Sequence, residues 1–198
     1  MPISRRILGR QAATSLYSRS KGQSLSYDTV GMTLVPGDAA VPEGYREHTA
    51  SAVVGSGDDV FRRVGYTVMH YGLQREAGFD VKSQHAAVTE GARVAMAVPT
   101  VWPLAVVAVA EVVDVVATGR STGFALGTLE SHPVRGEELI TVTHHDDDRV
   151  EVTIRTITQP ARWWARLGAG SQRRAVRKQL RAAERAAAAP STDLALLG

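Results

Sequence analysis

The chain has 198 residues, 44% of them hydrophobic and 22% charged, which suits one globular domain with tails. It contains no cysteine, which excludes disulfides and thiolate metal sites and favours a cytoplasmic location. The net charge of +3 is uneven, since residues 23–158 carry ten basic and eighteen acidic side chains while both ends are basic. The basic excess therefore gives no indication that the body of the protein binds nucleic acid.

The first 22 residues carry five basic side chains and no acidic one, without the continuous apolar run of a signal peptide. We predict a weakly ordered basic arm or a short surface helix there. A single domain is expected over residues 23–188, with a frayed tail at residues 189–198.

The first regular elements predicted are a strand at residues 46–54 and a helix at residues 58–76. Ser56 is the expected N-cap of this helix, with Asp59 as its capping-box partner, and Gly78 follows its last turn. Apolar side chains recur at helical spacing along it, at Phe61, Val64, Val68 and Tyr71.

The next eighty residues are typical of strands. The long apolar stretch at residues 94–110 is interrupted by Pro99 and Pro103, so it indicates two buried strands rather than a transmembrane helix. Residues 149–157 alternate strictly, with Val150, Val152 and Ile154 predicted on the buried face.

A C-terminal helix is predicted from Pro160, opened by Trp163 and Trp164. It combines a narrow apolar stripe, at Val176, Leu180, Ala183 and Ala187, with a basic row, at Arg173, Arg177, Arg181 and Arg185. The basic row can pack against the acidic body of the protein or bind an external anionic membrane, RNA or protein surface.

The predicted order is therefore a strand, a helix, four or five mainly antiparallel strands and a long C-terminal helix. Short hairpin connections exclude parallel crossover units. The predicted fold class is α+β, with a curved, mainly antiparallel sheet wrapped around the C-terminal helix and one helix after the first strand. Such a sheet often leaves a cavity between itself and the helix.

The segments "GSGDDVFRRV", "GTLESHPVRGEE" and "RVEVTIRTITQPARWWARLG", followed by Gln179, occur in an order that resembles the DUF1990 (UPF0548) family of uncharacterised bacterial and plant proteins. The resemblance covers residues 23–185. The chain departs from the family pattern at Glu130 and Ser131, and has Tyr71 where a tryptophan is expected. The family's element order is similar to the helix-grip, Bet v 1/START-like superfamily, which implies a small apolar ligand between sheet and C-terminal helix.

The most distinctive segment is the turn "GTLESHPVRGEE", whose motif residues are Gly127, Thr128, His132, Pro133 and Gly136. One hypothesis makes His132 a general acid or base beside Glu137 or Glu138. The alternative is structural, with the glycines permitting a tight turn and His132 bonding to the backbone. Adjacent residues of a regular strand point to opposite faces, so the two glutamates cannot both serve one pocket.

The sequence predicts no cofactor and no metal site, because the run "HHDDD" at residues 144–148 is typical of a solvated hairpin turn. Three functions stay open: a non-catalytic binding module for a small hydrophobic ligand, an enzyme using His132 with a glutamate, and an adaptor for an anionic surface. The candidate ligand-binding residues are Phe61, Val64, Val68, Tyr71, Trp102, Phe124 and Trp163.

Overall fold

The computed structural model describes residues 13–36, 41–99, 105–161 and 169–189. It begins with a helix, α1, at residues 13–19, followed by a 3-10 turn at Ser20–Gly22. The remaining elements, in chain order, are β1 (Arg46–Ser56), α2 (Asp58–Met69), α3 (Gly72–Glu76), β2 (Asp80–Ser83), β3 (Arg93–Pro99), β4 (Ala105–Ala117), β5 (Ser121–Thr128), β6 (Val134–His144), β7 (Arg149–Pro160) and α4 (Ala169–Ala188).

The seven strands form one curved antiparallel sheet in the order β1-β7-β6-β5-β4-β3-β2. Each strand from β2 to β7 pairs with its neighbour in sequence, and β1 joins the edge beside β7. The register shifts at Val53–Gly55 in β1 and at Val112–Asp114 in β4, and such bulges bend a sheet. The predicted α+β fold with a curved sheet and C-terminal helix is confirmed.

The main apolar core lies on the sheet face that α2, α3 and α4 cover, which we call the inner face. Strict alternation in β7 places Val150, Val152 and Ile154 there, all with no exposed surface, as predicted. The stripe on α4 also lies in this core, at Val176, Leu180, Ala183 and Ala187. Ala182 and Ala186 of α4 are buried in the same core.

The opposite face of the sheet, the outer face, is covered by the N-terminal segment. Ala13 of α1 is buried against Ala95, Val109 and Leu129. Further along, residues 25–33 pack on the sheet through Tyr27 and other apolar side chains, as a second small cluster. The sequence did not predict this layer.

A helix follows the first strand, as predicted, but the continuous helix expected at residues 58–76 is interrupted, because the chain turns at residues 70–71 and forms α2 and α3. Tyr71 adopts a left-handed conformation, with φ of 56°. The Met69 carbonyl accepts a hydrogen bond from the Val88 amide instead of continuing the helix. A Cβ at Gly72 would lie 2.8 Å from the Thr67 carbonyl oxygen, so the turn requires glycine at that position.

Two other boundaries differ from the predictions, one agrees with them, and one strand is additional. Ser56 ends β1, and the N-cap of α2 is Gly57, whose φ of 89° makes the sharp turn from strand to helix. Gly78 follows the last turn of α3 with φ of 92°, as predicted. β7 continues to Pro160, which pairs with Val134, so the C-terminal helix does not begin there. β2 was not predicted, because four residues give too little alternation.

Both predicted tails extend beyond the described residues, namely at 1–12 and 190–198. The predicted domain limits stay predictions.

The apolar stretch at 94–110 forms parts of β3 and β4, as predicted. Among the helices described, none is both long and apolar enough to span a membrane.

Candidate functional site

The motif turn joins β5 to β6, and its side chains bond to nearby backbone. The His132 Nδ1 atom lies 3.0 Å from the carbonyl oxygen of Val134 and 3.1 Å from its amide nitrogen. Burial lowers the pKa of His132 to about 4, so the ring is neutral near neutral pH. The Thr128 Oγ1 atom accepts a hydrogen bond from the Gly136 amide at 2.8 Å. These contacts match the structural alternative for the motif.

The motif's glycines allow the N-terminal segment to lie close to the sheet. A Cβ at Gly127 would collide with the hydroxyl of Tyr27, and one at Gly136 would collide with the carbonyl oxygen of Ile157. Gly136 also has φ of 130°, which L side chains rarely adopt. Both positions therefore require glycine for reasons of packing. Pro133, between them, accepts a hydrogen bond at its carbonyl from the Ala161 amide at 3.1 Å.

Glu137 faces outward and is fully buried beneath the N-terminal segment. Its Oε1 atom accepts hydrogen bonds from the Tyr27 hydroxyl at 2.7 Å and the Gly31 amide at 2.6 Å. Its Oε2 atom accepts from the amide and the hydroxyl of Thr33, at 3.0 and 2.9 Å. Burial is the main cause that raises the pKa of Tyr27, and its hydrogen bond to Glu137 is the second. Glu137 thus anchors residues 27–33 to the sheet.

Glu138 faces inward, on the same side of β6 as the buried Ile140 and Val142, as the alternation predicts. It stands opposite Leu126 of β5 and Thr156 of β7. Its side chain stays partly accessible although it lies deep in the fold. Desolvation raises the pKa of Glu138 to about 7, while a hydrogen bond from Gln179 of α4 acts in the opposite direction.

Three further polar side chains are buried on the helices that cover the inner face. Tyr71, Gln74 and Gln179 have 0%, 1% and 2% of their surface exposed. Four of their atoms have no hydrogen-bond partner among the described residues: the Tyr71 hydroxyl, both amide atoms of Gln74 and the Gln179 Oε1 atom. Burial raises the pKa of Tyr71 to about 12. Its ring contacts Phe124 edge-on, with centroids 5.5 Å apart.

Two of these side chains, Tyr71 and Gln179, approach β5 and β6 on the inner face. Phe124 and Leu126 are successive inward residues of β5, and Leu126 stands opposite Glu138. Tyr71 contacts Phe124, which is one inward position away from Leu126 on β5, and Gln179 approaches Glu138 from α4. We call the four polar side chains on this side of the sheet, Glu138, Gln179, Tyr71 and Gln74, the inner polar group.

Most of the predicted ligand-binding residues are in the inner core. Val64, Val68, Tyr71 and Phe124 have no exposed surface there. Phe61 is partly buried and stacks on His144, with ring centroids 5.8 Å apart. Trp102 and Trp163 lie outside the described residues. The structure does not bring Glu137 and Glu138 to one face.

In the "HHDDD" turn, the two histidine side chains form separate hydrogen bonds rather than a converging set of ligands. His144 Nε2 lies 2.8 Å from Asp148, and His145 Nε2 lies 2.9 Å from Glu151. Within residues 13–36, 41–99, 105–161 and 169–189, no three histidine, aspartate or glutamate side chains converge as a metal site would require.

The predicted basic row is exposed along α4. Arg185 lies 3.5 Å from Glu76 of α3. In the described part of the chain, Arg173, Arg177 and Arg181 have no carboxylate within ion-pair distance. Among the described residues, the positive charge of this row is therefore balanced by an acidic side chain only at Arg185.

A separate open cleft of about 490 Å³ lies at the surface beside α1, lined by Tyr17, Lys21, Gln84 and Arg93. The Arg93 guanidinium already donates to the Ser20 and Gln23 carbonyl oxygens and pairs with Glu111. This arginine ties α1 to the sheet and is not free to bind a solute.

Gln74 is the member of the inner polar group that sequence reasoning missed, because a glutamine in an amphipathic helix is typical of a solvated position. Its burial depends on the turn at Tyr71, which rotates α3 relative to α2. Gly72, which that turn requires, was the available signal. The family pattern includes Gln179, but nothing in the sequence around it indicates that this side chain is buried.

Solved structures support the fold. A hypothetical protein from Helicobacter pylori is 12% identical, with a TM-score of 0.51, over 83% of this chain and 94% of its own. Ara h 8.0201 is 4% identical, with a TM-score of 0.53, over 73% and 98%. The Panax ginseng major latex-like protein 151 is 13% identical, with a TM-score of 0.50, over 71% and 96%. The last two are Bet v 1-like proteins, which supports the helix-grip resemblance.

No curated protein matches the sequence. The family described as a domain of unknown function, DUF1990, matches residues 26–189, which include the motif turn, the inner polar group and all of α4. The match covers far more than half of the chain, and the chain therefore belongs to the DUF1990 family, with a Bet v 1-like fold.

Proposed function

We propose that this protein is a non-catalytic binding module that holds a small hydrophobic ligand between the inner face of the sheet and α4. The helix-grip resemblance implies a ligand at this place. The side chains that would contact its apolar part are those of the inner core, including Val64, Val68 and Phe124.

The observation that carries the proposal is the set of four unpartnered polar atoms on Tyr71, Gln74 and Gln179. Leaving one such atom buried without a hydrogen bond costs about 1–3 kcal/mol. Folded proteins rarely leave several of them in one region unless water or a ligand completes the hydrogen bonding. A ligand with an apolar body and a polar end accounts for both the apolar walls and these atoms.

A binding role is favoured over catalysis by the positions of the candidate acid–base groups. His132 bonds to its own turn, and Glu137 accepts four hydrogen bonds beneath the N-terminal segment. The described residues place no histidine in contact with Glu138, so no paired acid and base faces the inner core.

The proposal is tested by titrating the protein with a neutral apolar dye such as N-phenyl-1-naphthylamine. We expect saturable binding at one site per chain, displaced by an uncharged alcohol such as decanol. Leu126→Trp should weaken binding about tenfold or more by filling space opposite Glu138. Val53→Trp is the matched control, since Val53 is 50% exposed. Circular dichroism checks folding, and Leu126→Phe serves if the tryptophan variant is unstable.

Absence of saturable dye binding by the parent protein would contradict the proposal, as would equal weakening by Leu126→Trp and Val53→Trp. Dye that stays bound in the presence of excess decanol would place the dye elsewhere and would also count against it.

A second candidate function is binding to an anionic surface through α4. The observation that favours it is the exposure of Arg173, Arg177 and Arg181 without an acidic partner among the described residues. Three like charges at four-residue spacing repel one another, and a polyanion would relieve that repulsion.

A further inference from the structure

Glu138 and Gln179 form a pair of hydrogen-bond acceptors within the inner polar group. Gln179 lies within reach of the Glu138 carboxyl group, and a glutamine can donate there only through its amide nitrogen. This leaves the Oε1 atom of Gln179 buried and unpartnered beside a carboxylate. A ligand group that completes this site must bring hydrogen-bond donors.

The walls around this pair are apolar or already satisfied. Leu126 and Ile140 are the inward neighbours of Glu138 on β5 and β6, and both belong to the apolar core. On the other side, the Thr156 hydroxyl donates to the backbone oxygen of His48 at 3.2 Å. Among the described residues, these walls therefore supply Glu138 with no counter-charge.

Titratable and charged side chains on the surrounding elements are engaged or distant. His48 of β1 stands two strands away, opposite Thr156, and Tyr71, which precedes α3, contacts Phe124. Several cations of these elements bind other groups: Arg155 of β7 donates to Glu47, and Arg63 of α2 donates to the Ala186 and Ala187 carbonyls. Arg75 of α3 donates to the His70 carbonyl. Arg135 of β6 and the α4 arginines are exposed to solvent. Among the described residues, no cation acts on the pKa of Glu138.

We infer that the ligand is a hydrophobic amine, whose protonated nitrogen donates hydrogen bonds to the Glu138 carboxylate and to the Gln179 Oε1 atom. This inference rests on the proposed function, since it names the polar end of a ligand whose apolar part fills the inner core. An ammonium group has several N–H donors and a positive charge, which satisfies both acceptors and neutralises the carboxylate. A carboxylate or phosphate ligand would instead place a second negative charge beside the first.

The pKa of Glu138 gives the inference a pH dependence with a defined sign. Without a ligand, desolvation holds this pKa at about 7. An ammonium group stabilises the ionised carboxylate, so binding lowers the pKa and releases a proton when the pH lies below it. Affinity for the amine should therefore rise as the pH increases towards 7, and fall by up to about tenfold per pH unit below it.

The test compares decylamine, decanol and decanoate as displacers of the neutral dye at about pH 8, where the carboxylate is mostly ionised. We expect decylamine to bind about 10- to 100-fold more tightly than decanol, and decanoate to bind most weakly. Glu138→Gln should remove the advantage of decylamine over decanol and the pH dependence of amine binding. Glu130→Gln is the matched control, because Glu130 is exposed on the same motif turn.

Gln179→Leu provides an independent variant if Glu138→Gln does not fold, and it should also reduce the preference for the amine. Equal binding of decylamine and decanol, with dye displacement intact, would overturn the amine inference and leave the binding-module proposal standing. A preference for the amine that survives both substitutions would also overturn it. Failure of all three compounds and the dye to bind would instead contradict the proposed function itself.

Discussion

Glu137 should be a major determinant of stability rather than a catalytic group, and Glu137→Gln isolates its contribution. All four of its hydrogen-bond partners are donors: the Tyr27 hydroxyl, the Gly31 amide, and the amide and hydroxyl of Thr33. Glutamine has nearly the same shape, but one of its two terminal atoms is itself a donor. Whichever oxygen is replaced, one backbone N–H, that of Gly31 or Thr33, then faces an NH2 group.

The magnitude follows from these contacts. Hydroxyl groups can rotate and accept a hydrogen bond, whereas a backbone N–H cannot, so at least one buried donor is left unsatisfied. Such a donor costs about 1–3 kcal/mol, and the bonds that remain lose the benefit of a charged acceptor. We expect Glu137→Gln to lower the free energy of unfolding by about 2–4 kcal/mol.

Urea denaturation followed by circular dichroism measures this loss, with Glu130→Gln on the exposed turn as the matched control. Hydrogen exchange gives a second measurement, since the Gly31 and Thr33 amides should lose protection before the amides of β6. A variant within about 0.5 kcal/mol of the parent protein, with both amides still protected, would refute the role of Glu137 as an anchor.

Three further predictions concern the motif turn, β7 and α4. His132→Ala should lower the free energy of unfolding by about 1 kcal/mol and leave dye binding unchanged, because the ring bonds to the backbone of its own turn. Lost dye binding with an unchanged melting temperature would contradict this prediction. Val152→Asp should lower the free energy of unfolding by several kcal/mol, because Val152 has no exposed surface. Glu151→Lys should lower it by less than about 1.5 kcal/mol, because Glu151 faces the other side of the sheet. Equal shifts in melting temperature for the two variants would contradict the strand register. Replacing Arg177 and Arg181 together by Glu should leave the melting temperature nearly unchanged, because neither arginine has a carboxylate partner among the described residues. A lower melting temperature that recovers at high salt would indicate internal compensation instead, and lost binding to anionic vesicles or RNA would favour the second candidate function.

Much of the fold follows from periodicity within short segments. Alternation along residues 149–157 identified the buried face of β7, and the helical stripe on α4 identified the side that packs on the sheet. The alternation at Glu137 and Glu138 correctly separated their faces. These features are local, so single-sequence patterns carry them.

The parts that were missed depend on contacts between distant segments. The four donors to Glu137 come from residues more than a hundred positions away, and nothing near Glu137 in the sequence indicates them. The turn at Tyr71 was hidden because apolar spacing continues through it, although Gly72 allows it. Gln74 and Gln179 resemble surface residues until the packing of α3 and α4 buries them.

Methyl NMR of the protein during titration with decanol tests the central claim most directly, because it reports where an apolar compound binds. The claim predicts saturable shifts for the methyl groups of Leu126, Ile140 and Val176 on the inner side, with little change at Val109 and Leu129 on the outer face. Shifts confined to the outer face, or no saturable shift in either set, would contradict binding between the sheet and α4.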